Sequence, residues 1–178
     1  TIEAENRRSH SVEKQIMFIY IARHAWAHEF GDPRWPDDSQ RELEFDGSER
    51  YISIVETLAE RGFEPQAIAT SPYTRCRQTA ELISHHTVNQ PAVTELAALQ
   101  PDSNLSALVE WSSATKCDSV CWVGHAPDVG ILTAALIGGP HANIRFAKGA
   151  IAAIRYYSDV VPSRGELYWH VTAKALGL

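Results

Sequence analysis

The spacing of apolar and polar positions changes several times along the chain, and each change marks an element. Residues 16–25, IMFIYIARHA, are a continuous apolar run that ends abruptly in Arg23-His24. A run of this length without alternation suits a strand buried on both faces, as in the middle of a parallel sheet. The polar segment from Trp26 to Gly47 follows, with Gly31, Pro33 and Pro36 set among Trp26, His28, Phe30 and Trp35. Its length and aromatic content suit either a substrate wall or a surface loop pinned by two tryptophans.

Ser48 predicts a helix N-cap, Ile52, Val55, Leu58 and Ala59 an apolar stripe, and Gly62 its close. Ala67 to Thr70 reads as a short second strand. Ser71-Pro72 predicts the cap and first turn of a helix to about His86, carrying Arg75, Cys76, Thr79, Ala80 and Ile83. Val93 to Leu96 reads as a third strand, and Pro101-Asp102 as the opening of a helix with Leu105, Leu108 and Val109 inward. Ser119 to Val123 is a fourth strand running into Gly124-His125. The helix after Pro127 turns Val129, Leu132 and Leu136 inward and stops at Gly138-Gly139. Ala150 to Tyr157 and Leu167 to Thr172, joined by a turn at Pro162 to Gly165, predict a hairpin, and so a mixed sheet. The order of strands and helices predicts an α/β protein, a three-layer α/β/α sandwich with a mostly parallel, mixed central sheet. One domain spans 16–178, preceded by a polar, flexible leader over 1–15.

Composition narrows the function. An apolar share of 44% and a charged share of 21% are those of a soluble globular domain. A net charge of −6 argues against nucleic-acid binding. It leaves room for a local basic pocket, which Arg23, Arg34, Arg41, Arg75 and Arg77 could build. The three cysteines, Cys76, Cys117 and Cys121, have neither a disulfide framework's number nor a zinc knuckle's spacing. They read as thiols in a reducing compartment. No apolar run is long enough to span a bilayer, and the N-terminal stretch has no signal-peptide core, so a cytoplasmic monomer is expected.

Three strand exits carry chemistry: Arg23-His24, Ser71 to Arg75, and Gly124-His125. Each alone has a plain structural reading, a hydrogen-bonded histidine or a surface arginine. In a parallel sheet all three fall on the edge where α/β folds bind ligands. Arginine offers a planar fork matched to phosphate oxygens, and helix N-termini after Ser71 and His125 add backbone donors. A neutral imidazole among them can attack phosphorus, and a second can stabilise the equatorial oxygens. There is no GxGxxG, no GxxxxGK[ST] and no HExxH, which disfavours a dinucleotide, a P-loop nucleotide or a zinc centre built on His24, His28 and His125.

The segments IYIARHA, SPYTRCRQTAE and VGHAPDVG resemble the three signatures of the histidine phosphatase superfamily, the phosphoglycerate mutase-like or RHG family. The chain's shortness, RELEFDGSER and KGAIAAIRY resemble its smallest branch, the SixA-type phosphohistidine phosphatases. The resemblance implies a phosphoglycerate mutase-like fold and a metal-independent phosphatase with no cofactor. It gives His24 as the nucleophile, Arg23 and Arg75 as phosphate clamps, and His125 as the second histidine. Arg41, Ser71 and the backbone at Ala126 would line the rim. It implies a phosphate-bearing substrate, a histidine-phosphorylated protein first; a small phosphomonoester, or phosphate binding without turnover, is the alternative. The family's glycine after Arg-His is Ala25 here, tolerable where φ stays negative. Larger members use a carboxylate acid, for which Glu95 is the candidate, with Asp128 and Asp32 behind it; a solvated strand-end glutamate is the plain alternative.

Overall fold

The computed structural model describes residues 16–178, so the leader expected over 1–15 lies outside the described residues. Six strands form one sheet: β1 (Met17–Arg23), β2 (Ala67–Thr70), β3 (Val93–Glu95), β4 (Ser119–Gly124), β5 (Ile151–Tyr156) and β6 (Glu166–Val171), in the order β3-β2-β4-β1-β5-β6. The first four are parallel; β5 runs antiparallel to β1 and β6 to β5, giving the expected mixed sheet.

The apolar run of β1 is explained by its central place. Tyr20 and Ala22 face the layer of α1 (Phe45–Ala59) and α2 (Thr74–His85), which contribute Tyr51, Ile54, Leu58, Cys76, Ala80 and Ile83. Ile19 and Ile21 face the layer of α3 (Leu105–Thr115) and α4 (Asp128–Leu136), with Leu108, Val129, Leu132 and Leu136. Both faces are dry, so no polar alternation survives. Trp122 of β4 is fully buried and donates its Nε1–H to Ser112 Oγ at 3.0 Å, which satisfies the one polar atom it takes inside. A short α5 (Ala173–Leu176) closes the chain.

Helix starts differ from the sequence reading in three places. α1 begins at Phe45, capped at Glu44, and Ser48 lies in its first turns. The cause is a close approach. Gly47 packs on Trp26, where a Cβ would stand 2.6 Å from the tryptophan Cβ, so the helix must already be formed as it passes the strand exit. α2 begins at Thr74, two residues beyond Pro72. α3 begins at Leu105, because Asn104 rather than Asp102 caps it, accepting from the Ala107 N–H at 3.1 Å.

The Trp26 to Gly47 segment is more ordered than a plain loop. Ala27 bridges to Leu43, the Glu44 N–H reaches the Trp26 carbonyl at 2.9 Å, and a one-turn 3-10 helix forms at Asp38–Gln40. Gln78 of α2 accepts from the Leu43 N–H at 2.8 Å and ties the segment to the sheet layer. Among the described residues no helix is long and apolar enough to cross a membrane.

Candidate active site

The C-terminal ends of β1, β2 and β4 open on one pocket of about 380 Å³, lined by Arg23, His24, Arg41, Arg75, His125 and Ala126, with Phe30, Asp38, Asp102, Pro127 and Asp128 around them. His24 leaves β1 with its own backbone fully used: its N–H goes to the Gly124 carbonyl and its carbonyl accepts from Gly149. The ring is then oriented from the next residue. His24 Nδ1 lies 2.7 Å from the Ala25 carbonyl. A carbonyl only accepts, so Nδ1 carries the proton and Nε2 keeps a lone pair. Burial pushes the His24 pKa down to about 3; Arg75, His125 and Arg23 push the same way, against the Ala25 carbonyl. At neutral pH the imidazole is uncharged.

Ala25 is fully buried, and its φ lies outside the left-handed region. Its N–H donates to Thr79 Oγ1 at 3.0 Å, and that hydroxyl donates to the Arg75 carbonyl at 2.7 Å. The methyl therefore fits without backbone strain. Ala25→Gly is expected to leave kcat within about twofold while costing about 1–2 kcal/mol of stability, from a freer unfolded chain and one lost buried methyl. A urea midpoint and an initial rate check both halves; a large gain in rate would show that the alanine does strain the site.

Arg75 enters from the first turn of α2. Its Nη1 donates to the Asp38 carbonyl at 2.7 Å and its Nη2 to Asp38 Oδ2 at 3.0 Å, and Nη2 lies 3.4 Å from His125 Nδ1. An arginine only donates, so His125 Nδ1 accepts and Nε2–H donates to Ser71 Oγ at 2.9 Å. Burial first, then Arg75, pushes the His125 pKa down to about 4, with Asp128 and Asp38 opposing. Arg23 donates Nη1 to the Phe146 carbonyl at 2.8 Å. The Nε atoms of both Arg23 and Arg75 are buried with no hydrogen-bond partner. Two guanidinium groups lining the pocket beside a neutral imidazole suit an oxyanion.

Both neutral histidines carry a stability consequence. Their unfolded-state pKa is near 6.5 and their folded-state values are about 3 and 4. Below pH 6.5 the unfolded chain binds protons that the native state refuses, so stability falls with pH through the window down to the folded values. At pH 5 the two together are expected to cost on the order of 4 kcal/mol relative to neutral pH, a fall of about 10 °C in thermal midpoint. A midpoint series in phosphate-free buffer tests this; a flat midpoint from pH 7.5 to 5 would contradict it. His24→Gln should remove about half of the slope.

The structure brings together His24, Arg23, Arg75, His125, Arg41 and Ala126. Ser71 lies beneath His125 as its hydrogen-bond partner, off the pocket wall. Glu95 lies outside the pocket: β3 is the edge strand beyond β2, and the carboxylate is half exposed at 3.5 Å from Arg77. Arg77 and Arg34 likewise stay out of the pocket, Arg34 holding Asp32 at the surface. His28 stacks on Trp35 at 4.5 Å, away from the two pocket histidines, and Trp26 lies under Arg50. Of the loop aromatics, Phe30 alone reaches the pocket, 81% exposed. Among the described residues no three His, Cys, Asp or Glu side chains cluster as a metal site requires.

Asp38 is the residue that sequence reasoning missed. It spans two arginines, with Oδ1 2.7 Å from Arg41 Nε. Burial opposes its ionisation, but the hydrogen bond from Arg41 and the Arg75 and Arg41 charges outweigh that and hold its carboxyl below the usual range. The three-residue spacing of Asp38 and Arg41 was the one available signal. Asp128 faces the pocket while accepting from the Ser103 N–H and Oγ, each at 3.3 Å.

Residues 19–100 match the family model described as the histidine phosphatase superfamily (branch 1). The chain is 30% identical over 145 residues to an uncharacterised protein of Picosynechococcus, covering 78% of this chain and 85% of that one. Among solved structures it is similar to the protein histidine phosphatase SixA complexed with tungstate, with a TM-score of 0.78, 24% identity, and coverage of 90% of this chain and 99% of the other. A mycobacterial glucosyl-3-phosphoglycerate phosphatase matches with a TM-score of 0.65 at 15% identity, covering 88% and 100%. At these identities the structural likeness establishes the fold.

Proposed function

This chain belongs to the histidine phosphatase superfamily and is a phosphatase; we propose that it removes phosphate from phosphohistidine on a protein, without a metal, through a phosphoenzyme on His24. The observation that carries the chemistry is the placing of a neutral His24, its Nε2 lone pair free, in one pocket with the guanidinium groups of Arg23 and Arg75. Nε2 attacks phosphorus, the bond from phosphorus to the leaving group breaks with its electron pair, and water then attacks phosphorus and releases Nε2. Arg23 and Arg75 hold the oxygens throughout, and Arg41 supports Asp38 behind them. His125 lines the same pocket, and once Arg75 turns to the phosphate, the His125 Nδ1 can take up a proton, favoured by the bound anion's charge, and donate it in a hydrogen bond to a phosphoryl oxygen.

The supply of acid supports a phosphoramidate over an ester. An ester oxygen leaves poorly unless protonated, whereas the imidazole of phosphohistidine leaves readily. Asp38 is ionised between two guanidinium groups, Asp128 is held as an acceptor by Ser103, and Glu95 lies outside. The similar solved structures include a protein histidine phosphatase, which supports this substrate class. Phe30 is the only loop aromatic at the pocket, which leaves it shallow enough for a phosphate borne on a protein surface. We further infer that the chain acts as a monomer and in the cytoplasm, where the free Cys76, Cys117 and Cys121 would stay reduced.

The test is phosphate release in excess chelator from a histidine-phosphorylated carrier protein and from an aryl phosphate. A kcat/KM ratio strongly favouring the protein supports the reading. A ratio favouring the aryl ester would make the enzyme a small-molecule phosphomonoesterase, and loss of both activities on chelation would overturn the metal-free chemistry.

A further inference from the structure

A second cavity, of about 390 Å³, opens beside the reactive pocket and shares Arg23, Ala126 and Pro127 with it. The shared residues set the two cavities side by side. A group whose phosphate lies over His24 therefore has its neighbouring residues beside the second cavity. The far wall comes from Gly130 and Ile131 of α4 and from residues 142–146, the segment leading to β5. Its floor is rigid backbone: a Cβ at Gly130 would collide with the Ile144 carbonyl.

The charge on this cleft is uneven. The ionisable side chains lining the second cavity are Arg23 and Arg145, with no carboxylate among them. Burial lowers the Arg23 pKa and the Arg145 charge lowers it further, so the two guanidinium groups are close enough to repel. Arg145 is exposed and, among the described residues, makes no ion pair. A third hollow, which shares Phe30 with the reactive pocket, is lined by Glu29, Asp32 and Glu44, with Asp32 already taken by Arg34. In a chain of net charge −6, the lining of the second cavity is thus a local cationic stretch. Ile131, 58% exposed, and Pro127 supply apolar contact beside it.

We propose that this second cavity is the subsite for an acidic segment flanking the phosphorylated residue of the partner protein, with Arg145 as its ion-pairing group. The identity of the phosphorylated residue rests on the function proposed above; the charge of the flank rests on the cleft alone. Complementary charge fixes which way the partner lies across His24 and turns away basic flanks.

The experiment uses synthetic peptides carrying phosphohistidine with Glu, Gln or Lys on both sides, and phosphotyrosine peptides with the same flanks. At low salt, Glu flanks are expected to exceed Lys flanks by about tenfold or more in kcat/KM, mostly through KM, with the gap closing as salt rises. Arg145→Glu should invert the order and Arg145→Gln should erase it. Equal rates for Glu and Lys flanks, or a preference that Arg145→Glu leaves in place, overturns the proposal. If only the phosphotyrosine peptides are turned over and the Glu preference holds, the phosphohistidine reading fails and the subsite stands. If no peptide is turned over or bound while an aryl phosphate is hydrolysed, the subsite falls.

Discussion

His24→Ala is expected to lower phosphate release by about a thousandfold or more, because it removes the atom that bonds to phosphorus. The sharper form of the experiment is a rapid quench of the wild-type protein with labelled substrate. It should trap one phosphate per chain that is lost in acid and kept in alkali, as a phosphoramidate behaves, and that maps to His24. The geometry behind this is specific. The Ala25 carbonyl takes the Nδ1 proton at 2.7 Å, so Nε2 is the only ring nitrogen able to attack. With the pKa near 3, the lone pair is available from neutral pH down to moderately acidic pH. Because His24 is buried and its backbone locks β1 to β4, His24→Gln should be run beside the alanine variant as the better-packed control. Retention of more than about a tenth of the wild-type rate in both variants would remove His24 from the nucleophile's role.

Arg75→Lys carries the second large effect, a loss of about 100- to 1000-fold in kcat/KM. The guanidinium is used as a fork: Nη1 and Nη2 both reach Asp38, Nη2 also faces His125, and Nε is buried without a partner. An ammonium has no planar fork and cannot meet Asp38, His125 and a phosphate oxygen at once. The predicted factor is about 2.7–4.1 kcal/mol, the lower end of what two charge-assisted hydrogen bonds at roughly 1.5–3 kcal/mol each supply. Arg75 is also one of the causes, after burial, that hold the His24 pKa down to about 3, and neutral His24 is the attacking form. Arg75→Ala should therefore move the acid limb of the pH–rate profile to higher pH. An Arg75→Lys enzyme within tenfold of wild type would mean that positive charge alone suffices.

Much of the fold was legible because its signals are local. The unalternating β1 run, the β-branched composition of β4, and the closing pair that became β5 and β6 each follow from what a sheet of this kind must bury. Helix starts were less legible. Ser48 has the chemistry of an N-cap, yet α1 begins at Phe45 because Gly47 fits against Trp26, a contact between residues that only the fold makes neighbours. Pro101-Asp102 reads as the opening of a helix, yet α3 begins at Leu105, capped by Asn104.

For the site, the sequence by itself determined which side chains would meet in one pocket. Arg23-His24, Arg75 and His125 follow strands or open a helix, and a parallel sheet brings such exits to one edge by topology alone, so residue type and order were enough. What only the tertiary structure decided are the relations between groups that no spacing encodes. One is the tautomer of His24, set by the carbonyl of Ala25, whose own N–H is held by Thr79 of α2. Another is Asp38, drawn into the pocket by Arg75, thirty-seven positions along the chain. A third is the exclusion of Glu95, whose strand lies at the sheet edge. The reason is common to all three: burial and electrostatics depend on distance in space, and a chain fixes distance locally only within an element.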